Sequence, residues 1–146
     1  MNKTYNTIDL FAGCGGLTDG FAQEGHFHTM GCVEWEKPMC ETLAHRLYTK
    51  WKHQNAQEEV IRFDIQRTDE LIKGFDDPVY GKSKGLDALV GNRKVDIIIG
   101  GPPCQGFSLK GKNLGLKDPR NFLFLEFVNL VKEINPELFI IENVKN

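Results

Sequence analysis

The stretch Val95-Asp96-Ile97-Ile98-Ile99-Gly100-Gly101-Pro102-Pro103-Cys104 restricts the fold of this chain more than any other. Consecutive isoleucines leave no polar face, so a strand there must be covered on both sides. That is the condition of a central strand in a parallel sheet with helices on each face. Pro102 and Pro103 have a fixed φ and no N–H to donate, so the strand stops at a stiff corner. The Cys104 thiol is thereby held at a strand's carboxyl end, where open α/β sheets bind their ligands.

The rest of the chain repeats the alternation. Tyr5 to Phe11, His28 to Glu34, Val60 to Phe63, Val95 to Gly100 and Leu138 to Ile141 read as strands. Leu17 to Glu24 reads as a helix entered through Gly13, Gly15 and Gly16. Lys37 to Trp51 carries Met39, Cys40, Leu43, Ala44 and Leu47 on one 3.6-residue stripe. Asn121 to Ile134 repeats apolar positions between a start at Asp118-Pro119 and a stop at Asn135-Pro136. Gly74 to Lys94 is the least regular part, with Leu86 to Val90 as a short helical candidate, and reads as a surface excursion.

The first strand hands over to its helix through Asp9-Leu10-Phe11-Ala12-Gly13-Cys14-Gly15-Gly16. Glycines at such a turn let backbone approach a ligand closely. The dinucleotide fingerprint G-x-G-x-x-G is not met, because Thr18 holds its third glycine position. A tight turn without a ligand fits this stretch as well. About twenty residues on, the second strand ends in Glu34-Trp35: a carboxylate there would accept both ribose hydroxyls, and an indole would stack on adenine. Asp64, after the third strand, would accept from the adenine amino group. Together these suit an adenosyl ligand without phosphates better than a dinucleotide.

Length and charge bound the function without fixing it. The 146 residues suit one domain, and a net charge of −2 predicts no nucleic-acid partner by itself. Lys110, Lys112 and Lys117 nonetheless gather in the loop behind Cys104, which also holds Gly106, Gly111 and Gly115. Cys14, Cys32, Cys40 and Cys104 include no C-x-x-C pair, and no long apolar span precedes them, so a reduced, cytoplasmic protein with free thiols and no membrane association is expected. His26-x-His28 has no further ligand at metal spacing, so no metal site is expected.

Taken in order, Asp9 to Gly16, Glu34-Trp35, Asp64-Ile65, Gly101-Pro102-Pro103-Cys104-Gln105-Gly106-Phe107-Ser108, Asp118-x-Arg120 and Glu142-Asn143-Val144 resemble the blocks of the C5-cytosine DNA methyltransferases. The resemblance implies a doubly wound, Rossmann-like methyltransferase fold of strand order 3-2-1-4-5. It implies S-adenosylmethionine as methyl donor and double-stranded DNA as partner, in the manner of a bacterial restriction-modification enzyme. Phe11, Ala12, Gly13, Cys14, Gly15 and Gly16 would line the cofactor site, with Glu34, Trp35, Asp64 and Ile65. Cys104 would be the nucleophile and Glu142 its catalytic partner, while Pro103, Gln105, Ser108, Arg120 and Asn143 would contact the substrate.

The chemistry explains the residue types. C5 of cytosine is a poor nucleophile until a thiolate adds at C6 and turns the ring into an enamine. Glu142 would hydrogen-bond N3 in its neutral form, a state expected from desolvation behind Phe139-Ile140-Ile141. A stacked base cannot reach such a pocket, so it would be flipped out, with the loop from Gln105 to Lys117 closing over it.

The resemblance also implies missing parts, since the family continues past Glu-Asn-Val into a target-recognition domain and a C-terminal segment. Residues 1–146 would then be a partial catalytic domain. The strand Leu138 to Ile141 would leave an apolar edge unpaired, and the chain alone would be weakly active. Two histories fit: a truncated product, or half of a split enzyme completed by a second polypeptide. The alternatives are a tRNA cytosine methyltransferase, a non-catalytic accessory subunit and an NAD-binding oxidoreductase.

Overall fold

The computed structural model describes residues 3–103 and 121–143. In chain order the elements are β1 (Tyr5–Leu10), α1 (Gly16–Glu24), β2 (Phe27–Glu34), α2 (Lys37–Thr49), α3 (Ala56–Glu59), β3 (Val60–Arg62) and α4 (Thr68–Lys73). They continue with β4 (Phe75–Asp77), β5 (Gly81–Ser83), α5 (Gly85–Val90), β6 (Ile97–Gly100), α6 (Asn121–Ile134) and β7 (Leu138–Ile141). Five strands pair in parallel in the order β3-β2-β1-β6-β7. Counting only strands of this sheet, that is the expected 3-2-1-4-5. The order reverses between β1 and β6, which places the ligand crevice there.

Apolar residues on both faces of the sheet dictate the layers. On one face Ile8, Leu10, Ile61 and Ile98 pack with Leu71 of α4, Leu86 of α5, and Phe127 and Leu130 of α6. On the other, Cys32 and Val60 pack with Cys40, Leu43, Ala44 and Leu47 of α2. Each fully buried side chain of this size stabilises the fold by about 1.5–3 kcal/mol. The seam between β1 and β6 is tight: a Cβ at Gly100 would lie 2.3 Å from the Leu10 carbonyl oxygen, so only glycine fits.

Some expected boundaries shift. Phe11 leaves β1 with φ 57°, and α2 stops at Thr49, so Trp51 lies in the following turn. The larger correction concerns Gly74 to Lys94, which is not merely a surface excursion. It forms the antiparallel β4–β5 hairpin and α5. Phe75 and Leu86 are buried in the main core, and the Phe75 ring stacks on Phe63 at 3.8 Å. The far edge of the sheet is open: Leu138 and Phe139 of β7 are each 51% exposed. Among the described residues no helix is long and apolar enough to cross a membrane.

Candidate active site

Strand register builds the site. Leu10 lies beside Gly100, and Gly100 beside Ile141, so β1, β6 and β7 end level with one another. Phe11, Gly101 and Glu142 therefore open three neighbouring loops on one sheet edge. The Glu142 N–H donates to the Gly100 carbonyl at 2.9 Å. Its carboxylate lies against Gly101, where a Cβ would come within 3.2 Å of Oε2. The expected partner of Cys104 is thus fixed beside the corner that leads to that residue. Cys104 itself lies outside the described residues, as do Gln105, Ser108, Arg120 and the loop expected to close over a substrate.

The described residues do not form the dehydrated setting expected around Glu142. Leu138, Phe139 and Ile140 are exposed, and so are Glu142 and Asn143. The four residues of β7 have no sheet strand described beyond them, so their apolar character does not remove water from the carboxyl group.

On the β1–β2–β3 side a cavity of about 490 Å³ opens at the same sheet edge. Phe11, Glu34, Trp35, Asp64, Ile65 and Pro103 line it, which brings together six of the residues expected from sequence. Met39, Phe63, Phe122 and Leu123 complete its apolar walls. Sequence reasoning missed these four; the only signal was their position, in α2, after β3 and at the start of α6. Ala12 instead is buried with the α2 cluster, Cys14 is exposed, and none of Gly13 to Gly16 lines the cavity.

Glu34 organises the glycine turn as well as facing the cavity. Its Oε2 accepts from the Gly13 N–H at 2.8 Å, and Oε1 accepts from the Trp35 and Glu36 N–H groups at 2.8 and 2.9 Å. An ionised carboxylate has about four acceptor positions, so one remains after these three bonds. Asp64 Oδ1 accepts from the Gln66 N–H at 3.0 Å, which fixes the third loop.

Beneath the turn, Asp9 is buried and accepts from the Thr18 hydroxyl at 2.6 Å, while its Oδ1 has no hydrogen-bond partner among the described residues. Burial pushes its carboxyl up to about 7, against the opposing pull of the Thr18 hydroxyl and backbone, and the Glu34 charge adds to the rise. Burial pushes the Cys40 thiol up to about 11 and the Cys32 thiol well above its usual range, so neither supplies a thiolate near neutrality.

A family model for C-5 cytosine-specific DNA methylases matches residues 5–146. The chain belongs to that family. Among curated relatives of this chain, the Type II methyltransferase M1.HphI of Haemophilus parahaemolyticus is 39% identical over 146 residues, covering 99% of this chain and 33% of that protein. The Type II methyltransferase M.AquIA of Picosynechococcus sp. is 39% identical over 140 residues, covering 94% and 48% respectively. The chain thus spans between a third and a half of the length of these two relatives. Both relatives are longer than this chain, and nothing in the comparisons supports the expected second polypeptide. The crystal structure of S. pombe Dnmt2 methyltransferase superimposes with a TM-score of 0.59 at 21% identity, over 97% of this chain and 37% of that one. That likeness is one of fold.

Proposed function

We propose that this chain provides the cofactor-binding and nucleophile-bearing part of an enzyme that transfers a methyl group from S-adenosylmethionine to C5 of a cytosine in DNA. The observation that carries the reading is the level row Phe11–Gly101–Glu142, with a mostly apolar, nucleoside-sized cavity beginning at its first member. Cavities of this size suit a nucleoside ligand. Family membership and relatives named as Type II methyltransferases point to DNA and to a restriction-modification setting, hence a bacterial cytoplasm.

The residues present fit the cofactor. Trp35, Phe11 and Ile65 would enclose the adenine, the free acceptor position of Glu34 would take the ribose, and Asp64 would take the adenine amino group. The Glu34 carboxylate covers the Gly13 N–H, so a negative charge stands where a dinucleotide would need to place its pyrophosphate. That favours an adenosyl ligand without phosphates over NAD. When bound, S-adenosylmethionine would supply an electrophilic methyl group on sulfur.

Cys104 would add as thiolate to C6, forming an S–C6 bond while the C5–C6 π pair moves toward C5. Glu142 would donate a hydrogen bond to N3, where charge builds as sulfur adds. Because its carboxyl is exposed on this edge, the incoming base would itself displace the water around it. After C5 is methylated and loses its proton, the S–C6 pair returns to Cys104. The carboxyl ends of β6 and β7 are neighbours, roughly 4.8 Å apart, a spacing that one pyrimidine held between the two groups would span.

Equilibrium binding tests the cofactor half: S-adenosylhomocysteine should bind this chain, and NAD should not compete. Equal competition by NAD would end the reading. DNA containing 5-fluorocytosine should trap a covalent adduct that Cys104→Ser abolishes, and an adduct formed undiminished by the serine variant would exclude the thiol mechanism.

A further inference from the structure

The Gly74–Lys94 region has no place in the chemistry above, yet it is tied to the residue expected to stack on adenine. The tie is Arg62, at the end of β3. Its Nε donates to the Trp35 carbonyl at 3.2 Å, and its Nη1 donates to the Val79 carbonyl, in the turn between β4 and β5, at 2.8 Å. The guanidinium also lies over the Tyr80 ring, 5.2 Å from its centroid. Trp35 is thus held at both ends of its residue, its N–H by Glu34 and its C=O by Arg62, while its side chain stays 60% exposed at the cavity.

The hairpin turn that Arg62 grips is itself rigid. Asp77 Oδ1 accepts from the Val79 and Tyr80 N–H groups at 2.8 and 3.0 Å. Arg67 bonds the other Asp77 oxygen at 2.7 Å and lies over the Phe63 ring, 4.6 Å from its centroid. Phe63, a wall of the cavity, is stacked on Phe75 and meets Tyr80 edge-on at 5.2 Å. Fixing a wall before the ligand arrives removes an ordering cost from binding.

We propose that Arg62 is a positioning residue and the β4–β5 hairpin a brace, which together hold Trp35 in place for the adenine ring. The proposal rests on the adenosyl reading of the cavity. The planar guanidinium presents Nε and Nη1 to the two carbonyls in a fixed geometry, whereas a lysine must meet both from one freely rotating ammonium. Arg62→Lys should therefore keep the charge and the fold but lose the bridge.

The test uses the chain with Trp51→Phe, so that Trp35 is the single reporter of the two tryptophans. In that background Arg62→Lys should weaken S-adenosylhomocysteine binding about tenfold, the range of one charge-assisted hydrogen bond. The anisotropy of Trp35 fluorescence without ligand should fall, and the melting temperature should stay within the spread of repeat measurements. Arg62→Ala should go further in the same direction. Unchanged affinity and anisotropy in Arg62→Lys would overturn the brace, and so would a loss of affinity that only tracks a loss of melting temperature. If S-adenosylhomocysteine fails to bind even with Arg62 present, the adenosyl reading falls, and the ligand-free anisotropy alone decides whether Arg62 restrains Trp35.

Discussion

The two halves of the crevice are built differently. On the β1–β2–β3 side each loop is tied to its neighbour: Glu34 bonds Gly13, Trp35 and Glu36, Asp9 bonds Thr18, and Arg62 joins β3 to the hairpin. On the β6–β7 side the backbone is in register, but Leu138, Phe139, Ile140, Glu142 and Asn143 are exposed. The first half is shaped in advance of any ligand. The second presents a backbone scaffold whose side chains have little around them, so its final environment must come from what packs there, substrate included.

The largest expected effect tests how tightly the first half is locked. With the Asp9 carboxyl raised from 3.8 to about 7, the unfolded chain releases this proton between those values while the folded chain keeps it. The Asp9 contribution is therefore intact at acid pH, falls as pH rises through about 7, and is level above it. At about 1.36 kcal/mol per pH unit the total change is on the order of 4 kcal/mol. Denaturant titrations from pH 4.5 to 8.5 should show this slope in the natural chain, and a flatter one in Asp9→Asn. Parallel slopes would mean that Asp9 is ionised in the fold.

Next in size is the seam between the halves. Gly100→Ala sets a methyl group 2.3 Å from the Leu10 carbonyl oxygen, a backbone atom that cannot turn aside, and should cost about 3 kcal/mol. Guanidinium unfolding measures it; a loss below a tenth of that would mean that β1 and β6 separate easily. Glu34→Gln should cost about 2 kcal/mol, because an amide N–H₂ replaces one of two oxygens that face backbone donors. The same unfolding assay should show it without ligand, which separates its structural bonds from any ribose contact.

The smallest effect belongs to the open side. Leu138→Lys should change stability by less than about 0.5 kcal/mol, since that side chain is already half in water. It should also reduce concentration-dependent association in sedimentation velocity, because a charge on an edge strand opposes edge-to-edge pairing. A cost comparable with Glu34→Gln would show that β7 is packed after all, and the contrast between the halves would fail.

What was legible in the sequence follows the same division. Alternation of strand-like and helix-like segments revealed all five strands of the sheet, and Glu34, Trp35 and Asp64 stand at the strand ends where the sequence reading put them. The hairpin escaped because three-residue strands hold too few alternations to show a period, and its buried residue, Phe75, is followed by a polar stretch. The Arg62 bridge joins backbone carbonyls far apart in the chain, and a carbonyl leaves no mark in sequence. The setting of Glu142 is less legible, because the apolar run Phe139-Ile140-Ile141 suggests desolvation while the open edge expected of the same strand leaves the carboxyl group exposed.

Phe11 carries one more consequence. It takes a left-handed conformation that costs a non-glycine residue energy, and the next two amides are held, Ala12 by the Val33 carbonyl and Gly13 by Glu34. A bend clamped on its downstream side has no slacker shape to relax into when vacant. Under the proposed activity, spent cofactor would be exchanged for fresh without remoulding this wall, and the rhythm of turnover would be set on the opposite bank.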